Sequence, residues 1–125
     1  MDPSFKLIVD DEEVASGVLR RAIAPSVASD LERMRRVAGN VLMRDNAIGI
    51  VTHLKVGSSK SRRNFRRGEV ALSPADGTMW FFTGDSESRM PLVPLGNITM
   101  GIDSLSAIRR GARLALVVSS GQGPP

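Results

Sequence analysis

Few residues in this 125-residue chain could do chemistry. It has one histidine, His53, and no cysteine. That removes disulfides, a thiol nucleophile, Cys-based metal sites and any multi-histidine zinc site. His53 has no Ser, Cys or acid at a motif spacing, so a structural role explains it more simply than catalysis. Asp10, Asp11, Glu12 and Glu13 are consecutive acids that could hold a hard cation. Their order is not that of a calcium loop, and a solvated turn accounts for them better. Gly68 and Gly77 lack the Lys-Ser/Thr partner of a phosphate-cradling loop. No metal and no cofactor is expected. Two groups remain. One is the stretch 57–68, GSSKSRRNFRRG, where Lys60, Arg62, Arg63, Arg66 and Arg67 accompany Phe65 and no acid. Its cations could contact phosphates while Phe65 stacks on a base, although a solvated basic loop needs no ligand. The other is the aromatic run Trp80-Phe81-Phe82.

Adjacent residues on a strand face opposite sides, so Phe81 cannot share a face with Trp80 and Phe82. One side should fill a core, and the other should pack beneath another element or line a groove. The strand follows from its neighbours. Glu69 to Leu72 is short and apolar, Pro74-Ala75-Asp76-Gly77 is a turn, and Thr78 to Thr83 suits a pleated, buried surface. Together they read as a hairpin.

The other elements are placed in the same way. Phe5 to Val9 reads as a strand. Val14 to Ile23 fits a helix or a strand equally on periodicity. Pro25 to Arg36 is a helix, with Pro25 in its first turn and Val27, Leu31 and Met34 as one apolar stripe. Val37 to Arg44 and Ala47 to Val56 form a second hairpin around Asp45-Asn46. In its latter strand Ile48, Ile50, Thr52, Leu54 and Val56 share one face, with His53 on the other. Residues 57–68 are a loop, and Gly84 to Pro94 is irregular. Leu95 to Ile102 is a strand, and Asp103 caps a short helix running to Ile108. Leu114 to Val118 is the last strand. Residues 119–125 are a frayed Gly/Pro tail.

About eight strands and two helices, with twelve glycines and seven prolines for turns, point to a closed barrel or a sandwich. The length sets a single domain over residues 1–125. A 42% hydrophobic fraction with no long apolar run excludes a membrane-spanning helix. The start MDPSFKLIVDDEEV has no signal-peptide character, so a cytoplasmic location is expected. A net charge of +4 is a small excess, consistent with an Arg-rich surface as much as with an acidic partner. An exposed edge strand could make the chain a homodimer rather than a monomer.

Two stretches carry a family likeness. GEVALSP, ADG and TMWFF resemble the cyclophilin region in which a strand ends, a loop turns and a second strand bears paired phenylalanines. GNITMGIDSLSAI resembles the later cyclophilin strand that leads into a short helix. Gly68-Glu69 through Pro74, Phe81-Phe82-Thr83-Gly84 and Asn97 through Gly101 are similar to motifs of the small cyclophilin-like proteins of archaea and bacteria. That family is a minimal closed β-barrel of largely unknown function. The likeness covers residues 68 to 119 and rests on element order over residues 5 to 56, where it favours a strand for Val14 to Ile23.

Prolyl isomerases of the cyclophilin type lower a barrier of about 20 kcal/mol with an Arg beside a groove of aromatics and a Gln. The resemblance implies a groove at Ser73, Trp80, Phe82 and Met90. Trp80 stands where the Gln is expected and Leu92 where a groove His is expected, and the Arg-bearing motif has no counterpart. The reading that follows is a non-catalytic cyclophilin-like binding module for a small molecule or an extended peptide. The alternative is a divergent prolyl isomerase in which an Arg of residues 62–67 polarises the amide. A weaker one is nucleic-acid binding through loop 57–68.

Overall fold

Strand alternation over Thr78–Phe82 separates Phe81 from Trp80 and Phe82, and the sheet carries a hydrophobic cluster on each side of that divide. The computed structural model describes residues 2–56 and 60–120. The strands are β1 (Ser4–Val9), β2 (Glu12–Leu19), β3 (Arg36–Asn40), β4 (Leu42–Arg44), β5 (Ala47–Val51), β6 (Arg62–Phe65), β7 (Glu69–Leu72), β8 (Thr78–Phe82), β9 (Ser86–Met100) and β10 (Arg113–Ser119). The helices are α1 (Pro25–Met34) and α2 (Ile102–Ser106).

All pairings are antiparallel, in the order β3-β10-β1-β2-β9-β7-β8-β5-β4, with β6 paired to β9 off that path. The expected mostly-β architecture is present; the expected closed barrel is not. No ladder joins β3 to β4, so the sheet stays open. These two end strands are nevertheless consecutive in the chain, separated by Val41 alone. Val41 is buried, and its N–H donates to the Ala112 carbonyl at 2.9 Å. One segment therefore serves both ends of the sheet.

The larger cluster includes Phe5, Leu7, Leu31, Ile50, Leu72, Phe81, Leu114 and Leu116, with the Phe5 and Phe81 rings 5.9 Å apart. Each such side chain contributes about 1.5–3 kcal/mol by leaving water. Helix α1 begins with Pro25 at its first position and buries Val27, Ala28 and Leu31. Met34, expected in the apolar stripe, is exposed. The helix stops at Met34 rather than Arg36 because Arg35 takes a positive φ (+62°), its N–H still reaching the Leu31 carbonyl at 2.9 Å.

Other differences have local causes. Of the ambiguous segment, Val14 to Leu19 lies in the strand β2, and residues 21–23 turn into α1. Asp10 and Asp11 both have positive φ, as a two-residue hairpin turn between β1 and β2 demands. The strand expected to reach Val56 ends at Val51: Thr52 donates both its N–H (2.9 Å) and its hydroxyl (2.6 Å) to the Gly77 carbonyl, and His53 has φ +60°. The 57–68 loop contains β6, and its residues 57–59 lie outside the described residues. Segment 84–94, expected to be irregular, supplies Ser86 to Pro94, the first nine of the fifteen residues of β9. Pro91 and Pro94 are tolerated because β9 changes partners along its length, from β6 to β7 to β2, with a register shift within each ladder. Helix α2 is capped by left-handed Gly101, not Asp103. The expected frayed tail begins inside β10, which runs to Ser119, and its residues 121–125 also lie outside the described residues.

Candidate functional site

The second cluster lies on the other face of β8 and consists of Ala47, Phe65, Ala71, Trp80, Phe82 and Leu92. Cross-strand register builds it. Ala71, Trp80, Gly49 and Leu42 form one row across β7, β8, β5 and β4. Phe82, Ala47 and Arg44 form the next. Paired residues point to the same face, so both rows present their side chains together. Gly49 is required in its row: a Cβ there would lie 2.7 Å from Trp80 Cε3, so the bare backbone is what lets the indole lie flat.

Three segments raise walls around this floor. The β4–β5 turn brings Arg44, Asp45 and Asn46, and the β7–β8 turn brings Ser73 and Asp76. The third wall is a bulge in β9. Arg62 pairs with Leu92 and Asn64 with Glu87, so the single Arg63 faces residues 88 to 91, which must loop outward. Arg63 Nε donates to the Ser88 carbonyl at 2.9 Å and pins the base of that bulge. Met90, at its crest, is 61% exposed. The resulting pocket has a volume of about 630 Å³, within the usual range for small-molecule sites.

Ser73, Trp80, Phe82 and Met90, the four residues of the expected groove, all line this one pocket. Leu92 joins the floor. Phe82 stacks on Phe65, with centroids 4.8 Å apart and planes 4° from parallel. The Arg44 guanidinium lies over Trp80 at 4.5 Å from the ring centroid. Asp76 accepts the Thr78 N–H at 3.0 Å, and that hydrogen bond is the main cause of its lowered pKa. Burial opposes the shift, and bonds from the Thr78 and Ser73 side chains and the Arg44 charge reinforce it.

The five cations of the basic stretch do not line this pocket. Arg62 lies over Phe65 at 4.4 Å and is ion-paired to Glu69. Arg63 pairs with Glu87 at 3.4 Å, and Arg67 with Asp103. The Arg66 N–H donates to Glu69 at 2.9 Å, and Lys60 is exposed beside the undescribed 57–59. Arg62, Arg66 and Glu69 line a second, shallower concavity of about 420 Å³. Burial pushes the Glu69 pKa up, but the Arg62 and Arg66 hydrogen bonds and charges outweigh it, and the net shift is downward. Three of the five cations, Arg62, Arg63 and Arg67, are thus paired with Glu69, Glu87 and Asp103. His53 is exposed and stands apart from both concavities. Among the described residues no three His, Asp or Glu side chains gather as a metal site. No helix there is long and apolar enough to cross a membrane.

Sequence reasoning missed Arg44 and Arg89 in the pocket wall. Arg44 precedes the Asp45-Asn46 turn and Arg89 adjoins Met90, but no motif marks either. Only register and the β9 bulge bring them to the aromatic floor.

No known family profile and no curated protein matches this chain. Among solved structures it is similar to McbB in complex with tryptophan, at 12% identity and a TM-score of 0.74 over 97% of this chain. The chain spans 46% of that protein's length. It is also similar to the solution structure of the hypothetical protein AF2241 from Archaeoglobus fulgidus, at 13% identity and a TM-score of 0.75, covering 94% of this chain and 93% of that one. At these identities the shared property is the fold.

Proposed function

We propose that the chain is a binding module whose pocket on the outer face of β8 takes a small organic molecule or one residue of an extended peptide. The observation that carries this reading is the pocket itself: an aromatic and aliphatic floor inside walls of charged and hydroxyl groups, at a volume suited to a small ligand. The likeness to the cyclophilin-like family is kept as part of the proposal, with an open sheet in place of a closed barrel. The structural neighbour in complex with tryptophan makes an amphipathic aromatic molecule a sensible first probe.

Prolyl isomerisation is the second reading. It is supported by a guanidinium beside an apolar floor, and the candidate residues are Arg44 and Arg89 rather than Arg62, which Glu69 holds in the second concavity. One titration separates the two: labelled protein against tryptophan and a set of Xaa-Pro peptides, with exchange spectroscopy on each peptide. Shifts at Ser73, Trp80, Phe82 and Met90 without faster cis–trans exchange are expected. Faster exchange would make the chain an isomerase. Unmoved pocket resonances across the set would remove both readings.

A further inference from the structure

The charged groups around the pocket are not equally free, and the imbalance defines a ligand class. Its acids are Asp45, Asp76 and Glu87, and its cations are Arg44 and Arg89. Glu87 is paired with Arg63 at 3.4 Å. Asp76 is turned into its own hairpin, accepting the Thr78 N–H. Only Asp45, in the β4–β5 turn, has no partner among the described residues. Neither cation has a carboxylate within ion-pair distance among those residues. Arg44 rests on the Trp80 face, and Arg89 stands on the β9 bulge beside Met90. The second concavity is the internal contrast. There Glu69 already serves Arg62 and the Arg66 N–H, so its guanidinium is spoken for.

Resting on the binding reading above, we infer that the pocket selects small organic acids with a flat apolar body. The body lies against Phe82, Leu92 and Met90, and the carboxylate is gripped by Arg89 with Arg44. Guanidinium suits this role because its planar fork matches a carboxylate in two parallel hydrogen bonds. A low-dielectric aromatic floor strengthens that attraction relative to open water. Arg44 needs little movement: it keeps its stacking on Trp80 while its N–H edge turns toward the ligand, because cation–π contact and in-plane hydrogen bonding use different parts of the group.

Trp80 is the chain's single tryptophan and lines the pocket, so its emission reads occupancy directly. The test compares three non-indole probes of similar size: 3-phenylpropionate, 3-phenylpropan-1-ol and phenethylamine. Each is titrated against the intact chain at low and physiological salt, with Arg89→Gln and Arg44→Gln alongside. The acid is expected to bind about tenfold or more tighter than the alcohol, the ratio of a charge-assisted over a neutral contact. Arg89→Gln and Arg44→Gln should each lower acid affinity toward that of the alcohol and so shrink that preference. Equal affinity for acid and alcohol would overturn the inference and leave the binding reading standing. Preference for the amine would overturn it in favour of Asp45 as the selecting group. No response to any probe would overturn both.

Discussion

The Arg44 guanidinium covers the face of Trp80 at 4.5 Å from the ring centroid, although 35 residues lie between them in the chain. The contact is made by register alone, since β4, β5 and β8 set the two on one face in neighbouring rows. Arg44→Gln should uncover the indole. Acrylamide should quench Trp80 more strongly, and the chain should lose about 0.5–1 kcal/mol, the worth of an exposed cation–π contact. Unchanged quenching would show that Arg44 does not shield Trp80 in solution.

Gly49→Ala tests the floor of the pocket. The added methyl meets Trp80 Cε3 at 2.7 Å, so the indole must shift. Overpacking of this kind costs about 1–3 kcal/mol. The emission maximum should move as Trp80 is displaced, and ligand response should fall. A denaturant melt with the parent midpoint and spectrum would contradict this account.

Phe81 and Phe82 are neighbours with opposite duties. Phe81→Ala empties a fully buried site in the main core and should cost about 3–5 kcal/mol. Phe82→Leu keeps much of the apolar volume and should cost about 0.5–1.5 kcal/mol for the lost ring pair with Phe65. The second variant should stay folded by circular dichroism yet bind aromatic probes weakly. Equal destabilisation of the two would mean that the outer cluster is as structural as the inner.

Acid stability should depend on Glu69 and Asp76. Both have folded-state pKa values below their ordinary 4.5 and 3.8. Each therefore binds fewer protons folded than unfolded in mild acid, and each adds stability that is complete above its ordinary value. That stability is lost as pH falls through the lowered folded value. Glu69→Gln should flatten the acid limb of a stability–pH curve beginning near pH 4.5, and Asp76→Asn should flatten its lower part. Above pH 6 or so the slopes should match the parent, since both carboxyls are then ionised in either state. A parent-like acid limb in the double variant would remove these two groups as its cause.

Where a residue's periodicity agreed with its packing, the sequence was enough. TMWFF alternates cleanly, so the split of Phe81 from Trp80 and Phe82 could be foreseen, as could the Pro74–Gly77 turn. Trp80 and Phe82 share the face opposite Phe81, and Ser73 and Met90 join them only at the rim of one pocket, brought there by a turn and by the β9 bulge. The strand β6 was hidden because three of its four residues, Arg62, Arg63 and Asn64, are exposed and leave no apolar alternation. Leu95 to Met100 of β9 was foreseen, but its first nine residues were hidden by two prolines, whose cost is local and vanishes at bulges and partner changes. Open versus closed could not be read at all, because it depends on whether β3 and β4 pair, a contact between strands with no compositional mark. Arg44 and Arg89 were missed for the same reason: long-range register placed them.

Val41 ties these observations together. Asn40 belongs to the end of the sheet beside β10, and Leu42 to the end beside β5. Two peptide units hold their Cα atoms within about 7.6 Å. The open seam is therefore laced at one point, between the strand that pairs with β10 and the strand that pairs with β5. The last strand pair at each end of the sheet can part only by pulling on the one residue between them, so the β3–β10 and β4–β5 amides should open to hydrogen exchange together.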